Sequence, residues 1–284
     1  PWLNHAWGVT LYVTPRGFST GIVPHGDAAF EARFDLRESR LLIESSTGER
    51  ERVPLETTVA EFYAGVLAAF ERLGMPVSID PLPSEIAGAI RFDEDRQHGP
   101  YQPEHARLIH RVMLDSERVM QRFRASYLGK ASPVHLYWGG FDLATYRFSG
   151  RTAPPHPGGA PNFPLDVAQE SYTHECTAVG LWLGNRELPV PGYFAYTYPE
   201  PEGIAQAPLA PDAAAWNAAG GSFSLSYEAV RTADDPDAAL LAFFESTHAA
   251  GADLGGWDRE ALELAPPKGP DWWRSRSRRV AREG

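Results

Sequence analysis

Apolar and polar side chains alternate with the two-residue period of half-buried strands along the first part of the chain. Over Ala29–Leu36, Phe30, Ala32, Phe34 and Leu36 fall on one side, and Glu31, Arg33 and Asp35 on the other. Val9–Thr14 is β-rich and stops at Pro15-Arg16-Gly17. Leu41–Ser45 is a short apolar run, and Thr47-Gly48 turns the chain into Glu49–Leu55. Such neighbours pair as an antiparallel meander with one wet face. The period then lengthens. Thr58 and Glu61 form a capping box, and Val59, Phe62, Tyr63, Val66, Leu67, Phe70 and Leu73 recur at helical spacing until Gly74. This predicts a helix over 57–73, followed by a strand at Val77–Ile79. A second helix is predicted from Pro103 to about Tyr127, with a stripe of Leu108, Ile109, Val112, Val119, Met120 and Phe123. His105 lies near that stripe and His110 off it, and both are expected to be structural.

The scheme recurs in the second half. Val134–Trp138, Asp142–Phe148, Tyr172–Leu183, Tyr193–Tyr198 and Ser222–Tyr227 read as strands, and Pro236–Ala250 as a helix with Leu240, Leu241, Phe244 and His248 on one face. The expected class is α+β: mostly antiparallel sheet with about three packed helices. The segments Leu67–Glu71 and Leu241–Glu245 echo each other, as two related strand–strand–strand–helix halves would. Residues 1–80 form a meander plus helix, 81–128 a connector and the second helix, 129–265 the second strand-rich half plus its helix, and 266–284 a basic tail. One compact domain is expected overall.

Composition sharpens this reading. The 284 residues include 26 Gly and 25 Pro, well above the roughly 12% usual for the two together. Much of the excess lies in Pro154–Pro164 and in 189–211, which fit long ordered loops over a sheet and exclude a long-helix bundle. The net charge of −11 disfavours nucleic acid as a partner. Trp272–Gly284 nevertheless holds five Arg, so it reads either as a solvated end or as a partner-binding arm. Cys176 is the single cysteine, so no intrachain disulfide forms. No apolar run is long enough for a bilayer and no signal-peptide pattern is present, so no membrane partner and a cytoplasmic location are expected. The chain starts at Pro1 without an initiator methionine, from which an upstream segment is expected.

Chemistry concentrates in residues 129–176. His135, His156 and His174 lie there with Glu175 adjacent, interleaved with aromatics. Imidazoles plus a carboxylate are the ligand set of many Zn and non-haem Fe sites. His135, His156, His174 and Glu175 are therefore candidate ligands of a divalent metal, and His135, His174, Glu175 and Asp142 candidate catalytic groups. A metal-free acid–base or binding site, and plain structural hydrogen bonding, are the other readings of the same cluster. Strand alternation puts His174 and Glu175 on opposite faces, and Asp142 on the parity opposite His135 unless Gly139-Gly140 resets the register. Arg147 and Arg151 are candidate carboxylate clamps or ordinary ion pairs. Trp138, Tyr137, Tyr172 and Trp182 are candidate pocket walls or core. Cys176, two residues after His174, is a candidate nucleophile or a small core residue. The glycine pairs lack the strand–loop–helix context of phosphate loops.

The strings GKASPVHLYWGGFDLATYRFSGR, APPHPGG, SYTHE, YTYPEP and AALLAFFESTHAAGADLGGWD, with LYVTPRG near the start, resemble a bacterial family of uncharacterised proteins, a numbered domain of unknown function. The resemblance covers nearly the whole chain and implies membership without a mechanism. It also implies a further N-terminal helical segment, which is expected upstream of Pro1.

Beside an interaction protein that uses the cationic tail, two functions remain. One is an enzyme acting on a small molecule through a His/carboxylate site, with or without a metal. The other is a non-catalytic protein binding a small ligand or partner through an aromatic–His pocket. A pocket should lie where strands 134–148 and 172–183 meet the loop 151–164. Histidines tied to the backbone in a dry aromatic pocket would favour the second function.

Overall fold

The alternating segments of the first half become the strands that their pattern predicts. The computed structural model describes residues 3–99, 101–185 and 189–264. The first half contributes β1 (Thr10–Thr14), β2 (Gly17–Ser19), β3 (Val23–His25), β4 (Ala28–Asp35), β5 (Arg40–Ser45) and β6 (Arg50–Pro54). Helices α1 (Val59–Arg72) and α2 (Pro103–Ala125) follow. The second half runs β7 (His135–Tyr137), β8 (Asp142–Thr152), α3 (Leu165–Ser171), β9 (His174–Trp182), β10 (Gly192–Tyr198), β11 (Ala215–Asn217) and β12 (Ser222–Ser226). It ends with α4 (Tyr227–Arg231), α5 (Pro236–Leu254) and α6 (Arg259–Leu262).

All these strands join one antiparallel sheet, in the order β11-β12-β10-β9-β8-β7-β1-β2-β4-β5-β6, with β3 beside β4. The class is α+β. The two halves meet at β1: Thr10 and Leu11 pair with β7, and Tyr12, Val13 and Thr14 pair with β2.

Residues opposite one another in an antiparallel ladder share a face, so register assigns the two sides. Leu11, Leu136, Leu143, Val179, Leu181, Tyr193, Ala195, Phe223 and Leu225 share the side covered by α2 and α5. Phe30 and Phe34 of β4 are on the same side and meet Phe70 and Phe62 of α1. Fully burying each such side chain stabilises the fold by about 1.5–3 kcal/mol. The capping box of α1 forms, with the Glu61 amide donating to Thr58 Oγ1 at 3.3 Å and the Thr58 amide to Glu61 at 3.1 Å.

Arg147 lies wholly buried on this helix side, its guanidinium carbon 3.4 Å from the Phe123 ring centroid. It donates to the Phe123 carbonyl, to Ser126 Oγ at 2.9 Å and to Glu245 at 3.4 Å. Arg147 is therefore no substrate clamp. The sheet separates it from the opposite face, and its hydrogen bonds fasten the end of α2 to β8.

Three local expectations differ from the structure. Val77–Ile79 is irregular rather than a strand, hemmed by Pro76 and Pro81, which cannot donate to a ladder. On α2, Leu108 is 62% exposed while His110 is buried, with its Nε2 donating to the Thr14 carbonyl at 2.7 Å. The packed face is thus rotated toward Met113, Ser116 and Met120, because β1 offers that carbonyl beneath His110. Finally, α3 follows the Pro-rich loop directly, so Tyr172 caps a helix instead of starting a strand. The basic tail lies outside the described residues. Among the described residues, no helix is long and apolar enough to cross a membrane.

Candidate functional site

The other side of the sheet is wet beside β4, where Arg33 pairs with Glu44 at 2.8 Å. It is covered in the second half. Register puts His135 and Tyr137 of β7, Asp142, Ala144, Tyr146 and Phe148 of β8, Ala178 and Cys176 of β9, and Phe194, Tyr196 and Tyr198 of β10 on this face. The turn between β7 and β8 sets Tyr137 opposite Asp142, which reverses the parity and brings Asp142 to the same face as His135.

Over this floor sit the turn at residues 4–9, the strap at 83–88 and the loop leading into α3. They are bonded to one another. The His5 and Ala6 amides donate to the Glu170 carboxylate at 2.8 and 3.2 Å. The Glu85 amide donates to the Pro161 carbonyl at 2.7 Å, and Asn162 Nδ2 to the Ile86 carbonyl at 2.9 Å. A cavity of about 470 Å³ remains between roof and floor, within the range of small-molecule sites.

Backbone strain gathers here. Six non-glycine residues among those described have positive φ. His5, Ala6 and Glu85 line the cavity, and Phe141 and Asn162 flank it, leaving Ser39 as the one elsewhere. Such conformations cost on the order of 1–3 kcal/mol each and persist where the surroundings enforce them.

Tyr137, Tyr146, Tyr172 and Tyr196 line the cavity as a connected group of phenols. The Tyr172 and Tyr196 hydroxyls are 2.7 Å apart, Tyr196 donates to Tyr146 at 3.2 Å, and Tyr146 interacts with Tyr137. Burial raises all four, so they remain neutral donors.

Asp142 opens among them. A β-carbon built on Gly140 would lie 2.9 Å from Asp142 Oδ1 and 3.3 Å from Glu85 Oε2, and one on Gly139 2.9 Å from Glu85 Oε1. The two glycines thus leave room for a pair of carboxyls. Burial, and then the neighbouring Glu85, push Asp142 up to about 7, and burial raises Glu85 as well. No cation contributes to either shift.

The histidines do not converge. His156 lines the cavity, stacked on Tyr172 at 4.6 Å, with Nδ1 accepting from the Gly158 amide at 3.0 Å. Burial lowers its pKa, so it is a neutral ring. His135 lies behind Trp7, wholly buried among Trp7, Tyr12 and Tyr137, with neither ring nitrogen hydrogen-bonded. Burial, aided by Arg124, lowers it to about 4. His174 stands at the start of β9, its ring 5.8 Å from that of His5. Glu175 is on the helix side, held by Arg151 at 2.7 Å and Ser149 at 2.8 Å. Arg151 also donates to the Gly255 and Gly256 carbonyls at 2.5 and 3.1 Å, so it is an anchor rather than a clamp.

The proposed metal set of His135, His156, His174 and Glu175 therefore does not fit a metal. No three metal-ligating side chains among the described residues are grouped to hold one. Alternation along β9 is the reason, together with the placement of His156 on the roof. Glu175 faces away from Asp142 on the helix side, and His135, although on the same face as Asp142, does not line the cavity, nor does His174. Cys176 is buried and its thiol pushed up to about 12, which leaves it a core residue.

Of the expected site residues, Tyr137, Trp138, Asp142, His156 and Tyr172 meet in the cavity. Trp182 is two strand positions beyond Gly180 on the same face and does not line it. His5, Glu85, Tyr146, Phe194 and Tyr196 were not foreseen. Tyr146 shares the parity of Asp142 along β8, and that was the available signal. Nothing near Glu85 announced it, because the roof is assembled from segments distant in sequence.

His5 brings an imidazole to the roof. Its Nδ1 donates to the Ser171 carbonyl at 2.9 Å, leaving Nε2 as an acceptor, and burial keeps the ring neutral. On the helix side, Thr177, His248 and Glu263 are linked at 2.7 and 3.0 Å in the order of a nucleophilic triad. Thr177 and His248 are 3% and 1% exposed, so no substrate reaches them.

The chain belongs to the family described as Family of unknown function (DUF5996), whose model matches residues 1–264. Neither the curated proteins nor the solved structures gave a significant match.

Proposed function

We propose that this protein is an enzyme that binds a small molecule in the aromatic cavity and exchanges a proton with it through Asp142. The observation that carries this reading is a carboxyl set in a cavity wall beside a second carboxyl, with no Arg or Lys among the described residues that line the cavity. Two neighbouring acids in a dry site do not both ionise readily. One of them keeps its proton near neutrality, where a general acid or base works best.

Glu85 tunes Asp142 and shares the proton. The four phenols offer hydroxyls to polar atoms of the ligand, while Trp138, Phe163 and Phe194 provide apolar wall. His5 presents an acceptor nitrogen from the roof. The chemistry requires no metal from the residues assembled here.

A thermal-shift screen of small metabolites, with products of each hit followed by mass spectrometry, tests the proposal. The expected result is a stabilising hit whose turnover falls about 100-fold or more in Asp142→Asn, with binding retained. Undiminished turnover in that variant would refute the role of Asp142.

A second reading is binding without turnover. It is supported by His5 and His156, each tied to the backbone through one ring nitrogen. A hit that binds in the cavity and is recovered unchanged would favour it.

A further inference from the structure

The charges around the cavity choose among ligand classes. Among the described residues that line it, none is Arg or Lys, whereas Glu85 and Asp142 are both acids. A ligand carrying a carboxylate or phosphate would meet two acids in the wall, whereas Lys130 lies over the Trp7 and Phe148 rings, 5.2 Å from each centroid, and is not part of the lining. Burying such an anion without a partner is costly. An uncharged ligand would leave the two acids sharing a proton and would gain no ion pair from them.

An organic cation resolves both conflicts. Its charge would lie where the Asp142 and Glu85 oxygens flank the same point above Gly140. Its hydrocarbon body would lie against ring faces, which attract cations through their quadrupole. Those rings are at hand: Trp138 on the rim, Tyr137 and Tyr172 beside the acids, and Phe194 on the floor. The carboxyl oxygens accept hydrogen bonds, so a protonated amine with N–H groups suits them better than a quaternary ammonium, which has none to give.

We propose that the ligand of this cavity is a protonated organic amine with an aromatic or compact apolar body, held by Glu85 and Asp142 and walled by Trp138, Tyr137 and Tyr172. This rests on the cavity being the functional site, and it names the substrate class of that site.

Calorimetric titration of the full chain with matched trios tests it: benzylamine, benzyl alcohol and benzoate, then tryptamine, tryptophol and indoleacetate. Each trio keeps the ring and changes the charge. At about pH 8 both amines are largely protonated. The amine of at least one trio is expected to bind about tenfold or more tighter than its alcohol, and the carboxylates not at all. In the double variant Glu85→Gln, Asp142→Asn the amine should fall to the affinity of the alcohol. An unchanged alcohol affinity there would show that the cavity is still folded.

Equal binding of amine and alcohol, a preference for the carboxylate, or no binding of any member at millimolar concentration overturns the amine assignment. Those results leave the acid–base reading to its own test. A hit of another class whose turnover needs Asp142 would keep that reading while refuting this one.

Discussion

Replacing Asp142 by Asn should stabilise the protein at neutral pH and hardly alter it in acid. The side chain keeps its shape but can no longer ionise. In an unfolded chain this carboxyl has its ordinary value of 3.8, and in the fold it stands at about 7. Below 3.8 both states hold the proton and the group contributes nothing. Between the two values the folded state keeps a proton that the unfolded state has lost, so stability falls as pH rises. Above about 7 both states are ionised and the penalty is complete. The gap, at 1.36 kcal/mol per pH unit, amounts to roughly 4 kcal/mol. Asp142 opens to the cavity, and screening by solvent there brings the expected gain down to roughly 2–4 kcal/mol. Urea unfolding of wild type and Asp142→Asn at about pH 8 and about pH 4 measures it, since the pH dependence of the groups not coupled to Asp142 cancels in the comparison. Glu85→Gln should show a smaller effect of the same sign, because burial outweighs Glu85 in raising Asp142. A difference between wild type and Asp142→Asn that is the same at both pH values would refute the reasoning. So would destabilisation by Asp142→Asn at about pH 8.

Arg147→Met removes the donor to the Phe123 carbonyl and Ser126 and leaves Glu245 without its partner. It should cost about 1–3 kcal/mol in urea unfolding, chiefly from the lost buried hydrogen bonds, since Glu245 is 41% exposed and is solvated when unpaired, while leaving affinity for a cavity ligand unchanged, as a substrate clamp would not. Gly140→Ala places a methyl group 2.9 Å from Asp142 Oδ1. It should weaken ligand binding several-fold in calorimetry and change stability by less than about 1 kcal/mol, because its other close contact is the far end of Glu85. Cys176, buried with its thiol pushed up to about 12, should resist a thiol reagent in the folded protein. It should react in step with urea unfolding, and fast labelling under native conditions would contradict its place in the sheet.

Local pattern made most of the fold legible. The alternation of Phe30, Ala32 and Phe34 reappears as the helix-covered side of β4. The Thr58–Glu61 box caps α1, and the glycines and prolines of 154–164 form the approach to the cavity roof. Strands of three residues, such as β2 and β11, are too short to show a period and were not visible. The site was legible in part, with Tyr137, Trp138, Asp142, His156 and Tyr172 lying in the stretch where polar and aromatic residues crowd.

What the residues determined alone was which segments alternate, which turn and which wind, because strand and helix periods are properties of neighbours along the chain. Which side of the sheet each side chain faces followed only once the ladders were in register. That step turned Arg147 away from the cavity and Glu175 toward Arg151, and it brought Asp142 round to the side of His135. The meeting of Glu85 with Asp142 belongs wholly to tertiary structure. It depends on a strap from the first half crossing to bond with Pro161 and Asn162. Contacts between residues more than fifty positions apart leave no period in the sequence, yet these contacts set the charge balance of the cavity.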